Sequence, residues 1–214
     1  MSSNVLNLMP RDREILLALA QRVRLLSLRQ LADHWWSGEL ANTRRRLRVL
    51  THAALVRRIT VSARTLPPIE KPVVAWQPGQ PAPPYGEVSY QLRERWTRRA
   101  VRPTTAYIVT DRAAQLFGGK ARGELKHSLQ ATHDLGVAAV WLCLRQQAPA
   151  WAQAWRGEDQ LAHTRRGEKL PDAFIVDDTD EVAWVIEFGG SYDASRVQEF
   201  HEDCAGRDLP YQIW

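Results

Sequence analysis

The chain is poor in cysteine and has no long apolar run. Its 214 residues include only Cys143 and Cys204, whose separation matches neither a zinc-binding cluster nor a disulfide framework. No apolar stretch approaches the roughly 20 residues that a membrane-spanning helix needs, and the first ten residues lack the charged head and apolar run of a secretory signal. We therefore expect a cytoplasmic protein without membrane segments, in which both cysteines are small core residues.

Several familiar catalytic signatures are also missing. No Ser-His-Asp spacing, phosphate-binding glycine loop or zinc-finger pattern is visible, which argues against the enzyme classes that use them. His127 and His133 are six residues apart and do not share a helix face. A paired-histidine metal site is therefore not expected on the predicted helix that contains them.

The net charge of +5 conceals two oppositely charged halves. Residues 1–122 hold 21 Lys and Arg against 8 Asp and Glu, a balance of +13, whereas residues 123–214 hold 8 against 16, a balance of −8. A strongly basic half suits a polyanion such as nucleic acid, and an acidic half gathers cations. We therefore predict two domains, residues 1–122 and residues 123–214.

The basic half has the pattern of a winged helix-turn-helix. Pro10 opens a first helix whose apolar residues recur at helical spacing, and Ser27 with Gln30 has the form of a capping box at the start of a second helix. A third helix is predicted from about Asn42 to Ala53, and the strand-like run Val56–Arg64 follows it as a wing.

The third helix and the wing carry the candidate DNA-binding residues. We expect these side chains to face outward and to contact the phosphates and guanine edges of double-stranded DNA. They are Thr43, Arg44, Arg45 and Arg48 on the helix and Arg57, Arg58 and Arg64 on the wing. Arginine-rich helices are also commonly solvated faces without a ligand, so that alternative stays open.

Residues 65–103 are predicted to form an insertion or connector in this domain. Residues 77–86 are too rich in Pro and Gly for regular structure. Residues 88–102 have the pattern of a basic helix, which either lies along DNA or is solvated. Residues 105–109 have the pattern of a strand that completes the wing, and Thr110 is the expected N-cap of the next helix.

The acidic half has the predicted order helix, three strands, helix, strand. A long helix runs from Gly123 to Gln147, a strand lies near residues 151–155, and a hairpin spans residues 172–187. A helix over residues 194–205 follows, capped by Asp193 and Gly206, and the last strand covers residues 209–214. We predict an α/β protein overall, α+β within each domain, with a central mixed sheet in this half.

Two carboxylates in the hairpin are the strongest candidates for chemistry. With the turn centred on Thr179–Asp180, residues whose numbers sum to 359 face one another, so Asp177 meets Val182 and Asp172 meets Glu187. Opposed side chains lie only about 5 Å apart, where like charges repel. Such a pair needs a cation, a shared proton or full solvation. It outlines a metal site, with Mg²⁺ or Mn²⁺ as the expected cation, and the alternative is that the protein has no cofactor.

The acidic half resembles the PD-(D/E)xK nucleases. Pro171-Asp172 matches the first half of their motif and Glu187 the second. The resemblance implies a nuclease-like fold over about residues 123–214, in which Asp172 and Glu187 are catalytic and bind the metal. An active member has a lysine two residues after the glutamate, whereas this chain has Gly189 there; Lys169 is the candidate for a relocated lysine.

The whole layout, a winged helix followed by such a domain, resembles the replication-relaxation family of mobile-element proteins. The resemblance implies a DNA-binding protein of plasmid or mobile-element replication, mobilisation or regulation, whose nuclease-like domain lost catalysis with its lysine. The alternative is a Mg²⁺-dependent DNA endonuclease that uses Asp172, Glu187 and Lys169. The sequence leaves open whether the protein is an enzyme, and whether it is a monomer or a homodimer.

Overall fold

The computed structural model describes residues 7–120, 125, 128–157 and 170–214 and has a mixed α/β architecture. The chain divides into two compact units. The first comprises the described residues of Met1–Ala63 and Pro103–Asp134, and the second those of Arg64–Arg102 and Leu135–Trp214. The chain therefore passes from one unit to the other three times.

Helices and short strands alternate along the chain. The helices are α1 (Pro10–Leu17), α2 (Leu28–Trp35), α3 (Leu40–His52), α4 (Tyr85–Glu94), α5 (Asp111–Leu116), α6 (Ser128–Gln147), α7 (Pro149–Ala154) and α8 (Ala194–Ala205), and a π-helical turn (Ala18–Arg22) extends α1. The strands are β1 (Leu26–Ser27), β2 (Val56–Arg64), β3 (Val74–Trp76), β4 (Val101–Val109), β5 (Trp155–Gly157), β6 (Ala173–Val176), β7 (Val182–Glu187) and β8 (Tyr211–Ile213). None of the helices in the described ranges is long and apolar enough to cross a membrane.

A buried ion pair fixes α3 against α1 in the first unit. Asp12 is fully buried, and its carboxylate accepts the Met9 backbone N–H at 2.8 Å and the Arg46 Nε–H at 3.0 Å. Loss of either partner would leave an uncompensated buried charge, so the pair holds the two helices together. Ser27 and Gln30 form the predicted capping box at the start of α2.

A three-stranded sheet completes the first unit, in the order β1-β4-β2. β1 and β4 are antiparallel, with Leu26 opposite Tyr107. The predicted strand over residues 105–109 is confirmed, but β4 already begins at Val101, where the sequence predicted the end of a basic helix. The helix there, α4, ends at Glu94. Thr110 caps α5 as predicted, because its hydroxyl accepts the Ala113 N–H at 3.2 Å.

The second unit is built on a five-stranded sheet in the order β3-β8-β7-β6-β5. β7 and β8 are parallel and the other neighbours antiparallel, so the predicted mixed sheet is confirmed. Helices α4 and α8 pack together against it and bury an apolar core that includes Trp76, Leu92, Phe174, Phe200 and Tyr211. Both cysteines are buried, as expected.

Residues 64–102 belong to the second unit, not to the first as predicted. β3 pairs with β8, Trp76 opposite Tyr211, and α4 packs on α8. The boundary after α5 also differs, because it falls between Asp134 and Leu135, inside α6. The predicted boundary was based on the change in charge along the sequence. The observed units instead depend on strand pairing and helix packing between residues that are far apart in the chain.

The predicted hairpin is present, with one irregularity. β6 and β7 keep the predicted register as far as Ile175, which lies opposite Trp184. A bulge then puts Val176 opposite Val182, so the prediction that Asp177 faces Val182 was wrong. The Asp177 carboxylate instead stabilises the turn, because it accepts two backbone N–H groups from the turn itself.

The strand predicted near residues 151–155 is mostly helical. α7 spans Pro149–Ala154, and β5 begins only at Trp155. Proline is favoured in the first turn of a helix, and Pro149 is the first residue of α7. Helix α8 has the predicted bounds and cap, since the Asp193 carboxylate accepts the Arg196 N–H at 2.8 Å.

Candidate functional site

Three arginines of the first unit line one groove. Arg44 and Arg48 lie one turn apart on the exposed side of α3, and Arg58 comes from β2. Together with Tyr107 of β4 they surround a cavity of about 350 Å³. Its lining is completed by Leu28, Thr51, His52 and Thr105. We call this the basic groove.

The local folding of α3 and β2 explains this convergence. α3 buries Leu47 and Leu50, so the residues four apart on its other side, Arg44 and Arg48, face outward. β2 alternates, and Arg58 lies on the same face as the exposed Thr60 and Ser62. The helix and the strand thus contribute guanidinium groups to the same space.

The three arginines lie close enough to Tyr107 to influence the pKa of its phenol. Burial raises the pKa of the Tyr107 phenol, while the positive charges of Arg58, Arg44 and Arg48 act in the opposite direction. The lining of the basic groove contains no Asp or Glu among the described residues. Three positive charges therefore share one cavity without an acidic side chain in its wall, which is the arrangement that favours a bound anion.

The other predicted DNA-binding residues lie elsewhere. Thr43 is fully buried and donates its hydroxyl to the Glu39 carbonyl at 2.8 Å, so the expectation that it faces outward was wrong. Arg45 donates to the Asn42 side chain at 3.0 Å and lines a different cavity. Arg57 points to the opposite face of β2 from Arg58, and Arg64 belongs to the second unit.

Tyr107, Thr105 and His52 are members of the groove that the sequence did not single out. Period-two alternation in the predicted strand places Thr105 and Tyr107 on one face, and His52 is four residues from Arg48 on the helix. The missing information was that β4 lies beside β2 in the sheet, since the two strands are separated by residues 65–100 of the chain.

The carboxylates of Asp172 and Glu187 meet at adjacent strand ends in the second unit, where the register of β6 and β7 predicts them. The Asp172 backbone N–H donates to Glu187 Oε2 at 3.2 Å, and the Phe188 N–H donates to Asp172 Oδ2 at 2.7 Å. Glu187 is only 5% exposed. Each carboxylate is therefore held by a backbone donor from the other strand or its extension.

Tyr192 provides a further donor to the buried glutamate. Its hydroxyl donates to Glu187 Oε1. Burial, with the negative charge of Glu187, raises the pKa of this phenol, so Tyr192 stays protonated and remains a donor at neutral pH. The Arg196 guanidinium lies 5.3 Å from the centroid of the Tyr192 ring. Both Glu187 oxygens thus accept hydrogen bonds from the protein.

The hydrogen bonds around Glu187 compete with a divalent cation. Mg²⁺ binds one or two carboxylates and several waters, at short and nearly octahedral distances. Here the Tyr192 hydroxyl and the Asp172 N–H each donate to one of the two Glu187 oxygens, so a cation would share these oxygens with them. Across the described ranges, no group of three or more His, Cys, Asp or Glu side chains could hold a metal ion.

The position of the motif lysine is filled by other side chains. A Cβ atom at Gly189 would lie 2.7 Å from Ile213 Cγ2 and 2.9 Å from Leu92 Cδ1, both closer than real contacts allow. Glycine is therefore required by the approach of α4 and β8, and a lysine has no room there. Lys169, the candidate for a relocated lysine, lies outside the described residues.

The two sites have separate chemistry, since one gathers positive charges around a cavity and the other encloses a pair of carboxylates in hydrogen bonds. Neither can be interpreted through a relative, because no family model matches this chain and neither a curated protein nor a solved structure is detectably similar to it.

Proposed function

We propose that the protein binds double-stranded DNA through the basic groove and that its second unit is a nuclease-like domain without catalytic activity. The observation that carries the proposal is the convergence of Arg44, Arg48 and Arg58 on one cavity. Guanidinium groups pair with phosphate oxygens through two parallel hydrogen bonds, and they read guanine in the major groove in the same way.

The order of elements in the first unit supports a winged helix. α2 and α3 are joined by a short turn, β2 follows α3 directly, and β4 returns beside β2. In this proposal α3 is the recognition helix, which fits the width of a major groove. β2 and β4 form the wing, and Arg58 contacts the phosphate backbone beside the helix.

The second unit is proposed to be a PD-(D/E)xK-like fold that has lost its activity. Its mixed sheet carries the two acids at adjacent strand ends. The loss is supported by Gly189, whose surroundings exclude a lysine, and by the hydrogen bonds that occupy Glu187. The layout supports membership of the replication-relaxation type, with a role in plasmid or mobile-element replication, mobilisation or regulation.

One observation favours a second candidate, a Mg²⁺-dependent endonuclease. The two acids face one another across adjacent strands, as they do in active members of the superfamily that the sequence resembles. This candidate requires Lys169 to act in place of a lysine at position 189. It also requires the Asp172 N–H and the Tyr192 hydroxyl to release the Glu187 carboxylate.

Two variants of the same helix test the DNA proposal. Arg48→Ala removes a charge from the basic groove, and Arg45→Ala removes the same charge from a neighbouring exposed position outside it. We expect Arg48→Ala to raise the Kd for duplex DNA roughly fivefold or more, since one such contact is worth about 1–3 kcal/mol. Arg45→Ala should leave the Kd within about twofold of wild type. Equal effects of the two variants would contradict a role for the groove.

A further inference from the structure

The second unit also presents arginines around a cavity, at the turn that joins α4 to β4. The turn is anchored by Trp96, which is buried and donates its indole N–H to the Gly190 carbonyl at 2.6 Å. The Trp96 ring packs edge-on against Phe188, with 6.0 Å between the ring centroids. The turn is thus fixed to the end of β7.

Arg95 and Arg99 are held in place by main-chain oxygens. Arg95 donates to the main-chain oxygen of Trp214, and its guanidinium carbon lies 5.5 Å from the centroid of the Phe188 ring. Arg99 donates from Nε to the Arg95 carbonyl at 2.9 Å and from Nη1 to the Leu66 carbonyl at 2.8 Å. Since carbonyl groups carry no net charge, the Arg99 positive charge is oriented without being neutralised.

Arg98 has an unusual backbone conformation within this turn. Its φ is +61°, a left-handed value that costs an ordinary residue roughly 1 kcal/mol or more and that glycine adopts freely. Its side chain makes no hydrogen bond or ion pair within the described ranges and is exposed. A residue held in a disfavoured conformation with an exposed charge is a reason to look for a ligand.

Arg95, Arg98 and Arg99 line one cavity of about 730 Å³ together with Arg102 and Thr97. Glu94 is the acidic residue in its described lining. The described lining of this cavity therefore contains four guanidinium groups and one carboxylate. Residues 64–102 hold 7 Lys and Arg against 3 Asp and Glu, whereas residues 135–214 hold 7 against 14. The segment that forms the cavity therefore has a net positive charge, whereas the rest of the unit has a net negative charge.

We propose that this cavity is a second anion site, which binds phosphate groups of a nucleic-acid backbone. Guanidinium groups match phosphate oxygens in geometry, and several of them around one space favour phosphate over a single carboxylate. The site goes beyond the basic groove because it lies in the other compact unit and uses none of the same residues. Phosphate groups are the same at every base pair and carry no sequence information. Contacts at this site would therefore add affinity and salt dependence to nucleic-acid binding.

The test uses the whole chain and amide resonances as local reporters. Thr97–Ala100 report on this cavity, and Thr51–His52 report on the basic groove. A short DNA duplex, sodium pyrophosphate and a poly-glutamate peptide are titrated in turn. We expect the duplex to shift the amides at Thr97–Ala100, pyrophosphate to shift the same amides more weakly, and poly-glutamate to have no effect.

The outcomes separate this site from the basic groove. Shifts from the duplex at Thr51–His52 alone would overturn the second site and leave the proposed function intact. Shifts at Thr97–Ala100 alone would support the second site and contradict the groove. Shifts from pyrophosphate without any from the duplex would overturn the nucleic-acid ligand in favour of a free phosphate compound. An equal response to poly-glutamate would overturn the preference for phosphate.

A matched pair of variants gives an independent measurement. Arg98→Ala removes a charge at the cavity, while Arg93→Ala removes one from exposed α4 outside its described lining. We expect Arg98→Ala to raise the Kd for the duplex about threefold to tenfold and to reduce the salt slope of the affinity by about 0.9, the value of one phosphate contact. Arg93→Ala should change neither. Equal affinities of Arg98→Ala and wild type, at equal Tm, would overturn the proposal.

Discussion

The basic groove and the carboxylate pair differ in whether the protein itself supplies hydrogen-bond or ion-pair partners for their charged side chains. Arg44, Arg48 and Arg58 make no side-chain hydrogen bond or ion pair within the part of the chain that the structure describes, and all three are exposed. Glu187 is buried, and protein donors occupy both of its oxygens. Charges whose partners are not supplied by the protein are available to a ligand, whereas charges satisfied internally stabilise the fold.

The comparison assigns different roles to two features that look equally functional in the sequence. In the proposed function the arginines contact a partner molecule, so their removal should change binding without changing stability. The carboxylates join the ends of β6 and β7, and their removal should change stability without changing binding.

The largest effect is expected from Gly189→Lys, which restores the lysine of the nuclease motif. The new side chain would enter space filled by Leu92 and Ile213. Overpacking together with a buried charge should lower the free energy of unfolding by more than about 3 kcal/mol. Chemical denaturation measures this change.

Gly86→Lys is the matched control, because a Cβ atom there meets nothing within 4 Å. Its free energy of unfolding should lie within about 0.5 kcal/mol of the wild-type value, as is usual for surface substitutions. A Gly189→Lys protein as stable as this control would show that the lysine position is open, and it would weaken the case against catalysis.

A smaller effect is expected from Tyr192→Phe. The variant removes the hydroxyl that donates to Glu187 Oε1, and a hydrogen bond to a charged group is worth about 1.5–3 kcal/mol. The free energy of unfolding should fall by that amount, while the affinity for duplex DNA stays unchanged. Tyr90→Phe, at a side chain that is 65% exposed, should change neither quantity.

The converse is expected of Arg44→Ala in the basic groove. Its stability should stay within about 0.5 kcal/mol of wild type, because the side chain is exposed, and its affinity for duplex DNA should fall. If Arg44→Ala lost stability, or Tyr192→Phe lost affinity, the division between a ligand-binding site and a structural site would fail.

No effect at all is expected in a cleavage assay. Wild type, Asp172→Ala and Glu187→Ala should leave supercoiled plasmid intact in the presence of Mg²⁺ or Mn²⁺, since the donors around Glu187 and the absence of space at Gly189 oppose catalysis. Nicking by wild type that either substitution abolishes would favour the endonuclease instead.

The parts of the fold that local rules govern could be predicted from the sequence. The capping box of Ser27 and Gln30, the cap at Asp193 and the register of β6 against β7 depend on neighbouring residues and on the strict two-residue period of a strand. That period also predicts Asp172 beside Glu187.

The parts that depend on distant pairing could not be predicted. Nothing near Gly189 in the sequence indicates that Leu92 lies against it, because α4 reaches that position from a segment predicted as an insertion. In the same way, Tyr107 enters the basic groove only through the pairing of β4 with β2. Thr43 is different, because it lies four residues before Leu47 and seven before Leu50, so helical spacing alone places it on their buried face.

The most direct test of DNA binding through the basic groove is the salt dependence of the affinity for duplex DNA. The Kd is measured between about 50 and 300 mM salt for wild type and for the triple variant Arg44→Ala, Arg48→Ala and Arg58→Ala. We predict that log K falls linearly with log salt and that the triple variant has a slope shallower by about 2.7, the value of three phosphate contacts. A flat response of wild type, or equal slopes for the two proteins, would contradict the account.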